Sequence, residues 1–189
     1  EAIAEAVEGL GVPTFLAGMA RGLLGQKNDL QFRHKRSAAL KEADVVIVAG
    51  FPFDFRMGYG RSINKRAQIV AINRSPVELR KNRRPELAIR ADAGQFLQAL
   101  SKATPKPYGR WDRWFEACRE RENERNQQII EQAKAPVDEY VNPLLLCQHI
   151  EEMMAPESVM VVDGGDFVAT AAYICRPRSP LCWLDPGVF

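Results

Sequence analysis

Asp44-Val45-Val46-Ile47-Val48-Ala49-Gly50 is an apolar, β-branched run with no polar residue between its ends. A strand wetted on one face alternates apolar and polar residues. A run without alternation predicts a strand covered on both faces, as in parallel sheets sandwiched between helices. Gln68 to Ile72 repeats the pattern, and Leu87 to Ala91 is a third, weaker strand. Helical patterns separate them. Glu1 to Leu10 carries Ile3, Ala6, Val7 and Leu10 on one face, with Gly11 in the position that ends such a helix. Ser37 to Glu42 and Gly94 to Leu100 are further helices, and Ser75-Pro76-Val77-Glu78 has the cap, first-turn proline and acid of a helix start. With a short strand expected at Val12 to Ala17, the order predicts an α/β fold: a doubly wound, Rossmann-like parallel sheet over residues 1–103. Because the pattern opens on a helix, the first strand of that domain is expected to be missing from this sequence.

Downstream, Thr104-Pro105-Lys106-Pro107 reads as a linker, and Trp111 to Lys134 as a long polar connector helix outside the core, so that 104–140 joins two domains. Trp111, Trp114 and Phe115 form an apolar patch on it, suited to packing against a domain. Asn142-Pro143 opens an amphipathic helix, Leu144 to Met154, and Pro156-Glu157-Ser158 turns the chain into a strand, Val159 to Val162. That strand runs into Asp163-Gly164-Gly165-Asp166, so 141–189 is expected to be the truncated start of a second α/β domain. A strand that ends on glycines is where open α/β folds bind ligands.

Composition narrows the function classes. The 189 residues are 46% hydrophobic and 26% charged, typical of a globular protein, and no apolar run approaches the ~20 residues of a membrane-spanning helix. A net charge of +2 lacks the concentrated basic face of a nucleic-acid binder. Arg80, Lys81, Arg83 and Arg84 form a local basic cluster, read as a solvated helix end or a face toward an acidic neighbouring domain. Cys118, Cys147, Cys175 and Cys182 have no CxxC spacing and read as reduced structural thiols; His34 and His149 alone give little material for a triad or a metal cluster. The chain starts inside a helical pattern without a signal-peptide layout, which leaves targeting unread: cytoplasmic in a bacterium, membrane-associated at the endoplasmic reticulum in a eukaryote.

Three glycine-bearing strand ends are candidates for ligand contact: Leu16-Ala17-Gly18, Val48-Ala49-Gly50 and Val162-Asp163-Gly164-Gly165-Asp166. Glycine there lets backbone N–H groups approach a phosphate, or simply lets a loop turn sharply. Neither GxGxxG nor GxxxxGK[ST] occurs. Phe53-Asp54-Phe55-Arg56-Met57-Gly58-Tyr59-Gly60-Arg61 puts two arginines, a carboxylate and two glycines in one loop. That loop suits a phosphorylated ligand, and equally suits an Asp54–Arg56 or Asp54–Arg61 ion pair that braces a turn.

Arg36-Ser37-Ala38-Ala39-Leu40, Ala43-Asp44, Asp54-Phe55-Arg56, Ile72-Asn73 and Ser75-Pro76-Val77-Glu78 follow one another in an order that resembles the central domain of thiamine-diphosphate-dependent enzymes of the acetolactate synthase group. Asn142-Pro143 to Asp166, and Trp183-Leu184-Asp185-Pro186-Gly187, resemble the start of their pyrophosphate-binding domain. Gly18-Met19-Ala20-Arg21-Gly22-Leu23-Leu24-Gly25, Asp54 to Arg61 and Val161 to Phe167 are most similar to the acetolactate synthase-like subgroup that includes 2-hydroxyacyl-CoA lyase 2.

The resemblance implies a lyase or carboligase that uses thiamine diphosphate and Mg2+ to cleave or form a carbon–carbon bond beside a carbonyl, the cofactor serving as electron sink. Substrates would be a 2-keto acid or a 2-hydroxyacyl-CoA. The partners implied are other domains of the same chain and further copies in a homo-oligomer, with no nucleic acid. The family's activating glutamate and its Gly-Asp-Gly…Asn magnesium motif fall outside this segment, so the segment is expected to be inactive alone and to hold no catalytic residue or metal ligand. Gly165, Asp166 and Phe167 match the loop that helps hold the cofactor's diphosphate, where a carboxylate such as Asp166 needs an intervening magnesium or hydrogen-bond donor, or else caps a helix. Gly18, Met19, Arg36, Gly50, Asp54, Arg56, Asn73 and Asp92 match positions where relatives bind FAD or an adenine nucleotide such as ADP. Many relatives have a carboxylate where Asn73 stands; an amide is a poorer partner for a ribose diol, which weighs against FAD. The alternative is a non-catalytic nucleotide-binding or assembly module on the same scaffold. An NAD-consuming deacylase lacks its histidine and zinc cysteines here.

Overall fold

A computed structural model describes residues 1–105, 111–137 and 139–185. It divides into two compact units: Glu1–Val12 with Lys35–Trp111, and Pro13–His34 with Asp112–Phe189.

In the first unit, strands β1 (Val45–Ala49), β2 (Gln68–Asn73) and β3 (Leu87–Arg90) form a parallel sheet in the order β1-β2-β3. Val46 aligns with Ile69, Val48 with Ala71, and Ala71 with Ala88. The predicted α/β parallel-sheet class is the observed one. Helix α1 (Ala2–Leu10) buries Ala6, Val7 and Leu10 and stops at Gly11, whose left-handed φ of 59° closes the last turn onto Glu8 O. Helix α2 (Arg36–Glu42) precedes β1, and α3 (Ala93–Ala103) follows β3, capped by Asp92 accepting from Gln95 N. Helices α1 and α3 meet where side chains are small: a Cβ on Gly94 would lie 2.6 Å from Ile3 Cδ1, and one on Gly9 2.4 Å from Ser101 Oγ. Each Val or Leu buried in this way stabilises the unit by ~1.5–3 kcal/mol.

Three local expectations are corrected. Val12 to Ala17 is not a strand; it makes one isolated bridge, Thr14 to Gln31, because a strand exists only where a neighbour completes its hydrogen-bond ladder. Strand β1 is not covered on both faces. Val46 and Val48 are buried, but Val45 and Ile47 are 49% and 38% exposed, so an apolar run has alternating burial. After Ser75 the helix stops at a single 3₁₀ turn, Glu78–Arg80, although the Ser75 hydroxyl accepts from Glu78 N as a cap should. Asn82 then takes φ 62°, and Arg83 donates to the carbonyls of Gly60, Ile63 and Asn64. Tertiary pinning of Arg83 overrides the helix start: Arg80 ends the 3₁₀ turn, and Lys81 to Arg84 is a loop.

The second unit contains α4 (Asp112–Ala133), α5 (Pro143–Met153), α6 (Asp166–Ile174) and a short parallel pair, β4 (Met160–Val161) with β5 (Trp183–Leu184). Its core holds Ile129, Cys147, Ala171, Ala172, Ile174, Cys175 and Trp183. Asn142 caps α5 through Leu144 N while its amide group donates to the carbonyls of Gln132 and Ala135, joining the end of α4 to the start of α5. Helix α4 is more than a solvated connector: Cys118, Glu122, Ile129 and Ala133 are buried. Phe115 stacks near Phe32, at 6.1 Å between ring centroids, and Phe32 is 1% exposed. Segment 13–34 packs with these helices, so the compact units are discontinuous in sequence where the sequence reading drew continuous domains. Lys106 and Pro107 of the expected linker, and Pro186 and Gly187, lie outside the described residues.

Candidate functional site

Parallel strands with crossovers bring successive carboxyl ends to one edge of the sheet. In the first unit that edge gathers Gly50 after β1, Asn73 at the end of β2 and Asp92 after β3. Gly50 has φ 75° and donates from its amide to Ile72 O at 2.7 Å. Beside it, Asp54 accepts from Arg56 N at 2.9 Å and from the Arg56 guanidinium at 2.6 and 3.0 Å, a bidentate pair. Arg36 Nη2 donates to Arg56 O at 2.5 Å, and the Arg56 guanidinium lies 4.7 Å from the centroid of the Phe51 ring. Partial burial pushes the Asp54 carboxyl up, but the side-chain and backbone hydrogen bonds from Arg56 outweigh it and hold the group below the usual carboxylate range. Asp54 and Arg56 are thus the brace of a turn, one of the two readings of this loop.

Asn73 Oδ1 accepts from Ser75 N at 2.9 Å, an Asx turn that consumes the amide oxygen. Asp92 is held below its ordinary range by the backbone N–H of Gln95, with Arg74 adding a contact at 2.5 Å. The structure therefore brings Arg36, Asp54 and Arg56 into one contact network in the first unit, and ties Asn73 and Asp92 into local caps. Gly18 and Met19 belong to the second unit, in a 3₁₀ turn, Gly18–Ala20, where Met19 is 53% exposed. Arg74 and Phe51 were missed as neighbours of these residues; nothing in their spacing marks the contacts.

The second candidate lies in the other unit, between β4 and α6. Gly165 is the N-cap of α6 and offers no side-chain cap, with φ 99° and ψ −176°. Its lack of a Cβ leaves the first-turn N–H groups of the helix uncovered, and their dipole favours an anion. A Cβ on Gly164 or on Gly165 would meet nothing within 4 Å. Asp163 Oδ1 takes the Gly164 amide at 2.7 Å, and Asp166 and Phe167 are exposed in the first turn. An open, side-chain-free cradle of backbone donors fits a diphosphate, and two flanking carboxylates, Asp163 and Asp166, fit one that arrives with a cation. Asp166 sits at the helix's positive end, where its charge is stabilised, but it does not cap the helix.

Deeper in the same unit, sequence reasoning missed a buried ionic group. Glu122, 3% exposed, accepts from Arg33 N at 3.1 Å and His34 N at 2.8 Å and pairs with Arg33 Nε at 3.5 Å. His34 Nε2 is 3.1 Å from Asn126 Oδ1. Burial lowers the His34 pKa despite Glu122, and lowers that of Arg33 with the Arg176 charge adding to it. The four cysteines are buried and free; burial and the neighbouring Cys147 and Glu151 push the Cys175 thiol up to about 12. Among the described residues no His, Cys, Asp or Glu cluster of three or more is arranged to hold a metal ion.

A family model described as the thiamine pyrophosphate enzyme central domain matches residues 1–100. The chain is 46% identical over 191 residues to 2-hydroxyacyl-CoA lyase 2 of Danio rerio, covering 99% of this chain and 31% of the relative. It is 45% identical over 188 residues to 2-hydroxyacyl-CoA lyase 2 of Homo sapiens, covering 97% and 30%. It is 30% identical over 191 residues to the acetolactate synthase large subunit IlvG of Mycobacterium tuberculosis, covering 100% and 34%. The chain thus spans about a third of the length of the curated relatives it matches. A parallel α/β sheet and a family match over residues 1–100, more than half of the chain, lead to one conclusion: the chain belongs to the thiamine pyrophosphate enzyme family.

Proposed function

We propose that this chain supplies the central domain, connector helix and first part of the pyrophosphate-binding domain of a thiamine-diphosphate- and Mg2+-dependent lyase that acts on a 2-hydroxyacyl-CoA. The observation that carries the reading is the start of α6 without a side-chain cap, behind Gly164 and Gly165, where an added Cβ would meet only open space. Bound there, the cofactor would supply an electron sink for cleavage of a carbon–carbon bond beside a carbonyl. The residues of this chain have a narrower task. The amides around Gly165 and the first turn of α6 bind and orient the diphosphate, and Asp166 and Asp163 favour its cation. Phe167, 48% exposed, gives that loop an apolar side against the ligand. The higher identity to lyases of the 2-hydroxyacyl-CoA type than to an acetolactate synthase supports the thioester over a 2-keto acid.

Within the first unit, the carboxyl edge at Gly50 and Arg36 suits the phosphates of an adenine nucleotide, with Arg56 held by Asp54 beside it. Asn73, its oxygen already given to Ser75 N, suits the ribose of FAD poorly. The full-length protein is expected to consume a 2-hydroxyacyl-CoA only when thiamine diphosphate and Mg2+ are both present, and faster than it condenses pyruvate. Turnover of pyruvate in preference to the thioester would move the assignment to acetolactate synthase. Turnover of either substrate without thiamine diphosphate would overturn it.

A further inference from the structure

We propose that Arg21 and Gly22 position the loop following β4 and thereby set its affinity for the diphosphate-bearing cofactor; the proposal rests on the reading of Gly165 given above. The loop has no side-chain neighbours of its own at its two glycines, since nothing lies within 4 Å of a Cβ at Gly164 or Gly165. Its position is inherited from its flanks, β4 on one side and α6 on the other. Strand β4 is only two residues long and pairs with a two-residue β5, through Met160 N to Cys182 O at 2.9 Å and Val162 N to Leu184 O at 3.0 Å. So short a ladder is marginal unless packing holds it.

The packing comes from the glycine-punctuated segment Gly18 to Gly25. Arg21 Nη1 donates to Ala172 O of α6 at 3.4 Å, and its guanidinium carbon lies 5.4 Å from the Trp183 ring centroid. Trp183 is fully buried and is the β5 residue aligned with Met160. One side chain therefore touches α6, one flank of the loop, and β5, the strand that pairs with the other flank. Gly22, at φ 104°, brings its backbone against the segment between α6 and β5: a Cβ there would lie 2.4 Å from Ser179 O and 2.9 Å from Pro177 Cβ. Any side chain at position 22 must push Arg21 off α6 or push residues 177–179 away from it. A cation over a buried indole is worth ~0.5–2 kcal/mol, enough to shift the population of a loop with so few contacts of its own. Arg178 ties the same stretch to the end of α5, donating to the carbonyls of Glu151 and Met154. Nothing in α5 reaches Trp183 in the way Arg21 does.

The test uses the full-length protein with thiamine diphosphate and Mg2+, in Gly22→Ala, Arg21→Met and Arg21→Lys variants, with Gly165→Ala as reference. Gly22→Ala and Arg21→Met are expected to weaken thiamine diphosphate binding by roughly tenfold, or ~1.4 kcal/mol. Turnover at saturating cofactor should stay within about twofold, a change of ~0.4 kcal/mol in barrier. Arg21→Lys, which keeps the cation over Trp183, should recover part of the affinity. Amides 163–168 should exchange with D2O faster in the first two variants than in the wild type. If Gly22→Ala fails to fold, Arg21→Met with Arg21→Lys carries the test alone. Unchanged affinity in Arg21→Met while Gly165→Ala loses it overturns the proposal. If Gly165→Ala keeps full affinity, the cofactor reading has failed instead; the positioning role then stands or falls on whether exchange at 163–168 accelerates.

Discussion

Replacing Glu122 by alanine removes a carboxylate with only 4% of its side chain exposed and three partners. Two are the N–H groups of Arg33, part-buried, and His34, buried, at 3.1 and 2.8 Å; leaving each without an acceptor costs ~1–3 kcal/mol, the lower end for Arg33. The third is the Arg33 guanidinium, itself only 16% exposed and near the Arg176 charge. Breaking a buried ion pair by deleting one member costs ~3–5 kcal/mol, because the other charge stays behind. These contributions overlap, so the expected loss is about 3–5 kcal/mol in all rather than their sum. Alanine is the better helix former, so none of the loss can be assigned to α4 itself. Glu122→Gln keeps an oxygen for the two amides and loses only the charge, and should cost about half as much. Urea denaturation near pH 7.5, followed by tryptophan fluorescence, measures both. A loss below ~1 kcal/mol in the alanine variant would refute the claim that Glu122 fixes residues 33–34, since that is the range of an exposed pair.

Gly60→Ala and Gly58→Ala both place an alanine at positive φ, 74° and 55°, but only at Gly60 does the new Cβ meet atoms, Arg83 Cδ at 3.0 Å and Phe53 Cδ1 at 3.1 Å. The first should cost ~1–2 kcal/mol more than the second by denaturant midpoint, because overpacking is added to the positive-φ strain that both share. His34 has a pKa below its unfolded value, so the unfolded chain takes up its proton first; stability is full above about pH 6.5 and falls as pH drops from there to the folded pKa. A His34→Gln variant should flatten that part of the stability–pH profile. The buried thiols, with Cys175 raised to about 12, should resist iodoacetamide at pH 8 until denaturant is added, as mass spectrometry of labelled peptides would show.

Much of the first unit was legible because its signals are local. The runs around Ile47 and Val70 could only be strands, Gly11 could end α1, and Asn142 could cap α5, each through contacts within a few residues. The exposure of one face of β1 was not legible, since the residues at 45–49 fix what a strand tolerates and not what covers it. The strand expected at 12–17 failed for a related reason: a segment's propensity does not provide its partner. The helix predicted after Ser75 lost to Arg83, whose three carbonyl partners lie 19–23 residues away. At the candidate sites, residue types were readable and roles were not. Asp54 and Arg56 look the same in sequence whether they grip a ligand or each other, and Glu122 is one acid in a polar helix until the fold brings it to the backbone of His34, 88 residues away in sequence. Gly18 and Met19 illustrate the same limit, since the motif that contains them packs through Arg21 and Gly22 on the second unit.

The most direct test of the central claim, that the glycine cradle opening α6 receives the cofactor's diphosphate, is a titration of thiamine diphosphate with Mg2+ into the full-length protein and its Gly165→Ala variant. An alanine forced to φ 99° with its methyl in the cradle should bind the cofactor at least about tenfold more weakly, and its only stability cost should be the ~1–3 kcal/mol of backbone strain, because nothing beyond its chain neighbours lies within 4 Å of the added carbon. Equal affinity in the two proteins would contradict the account.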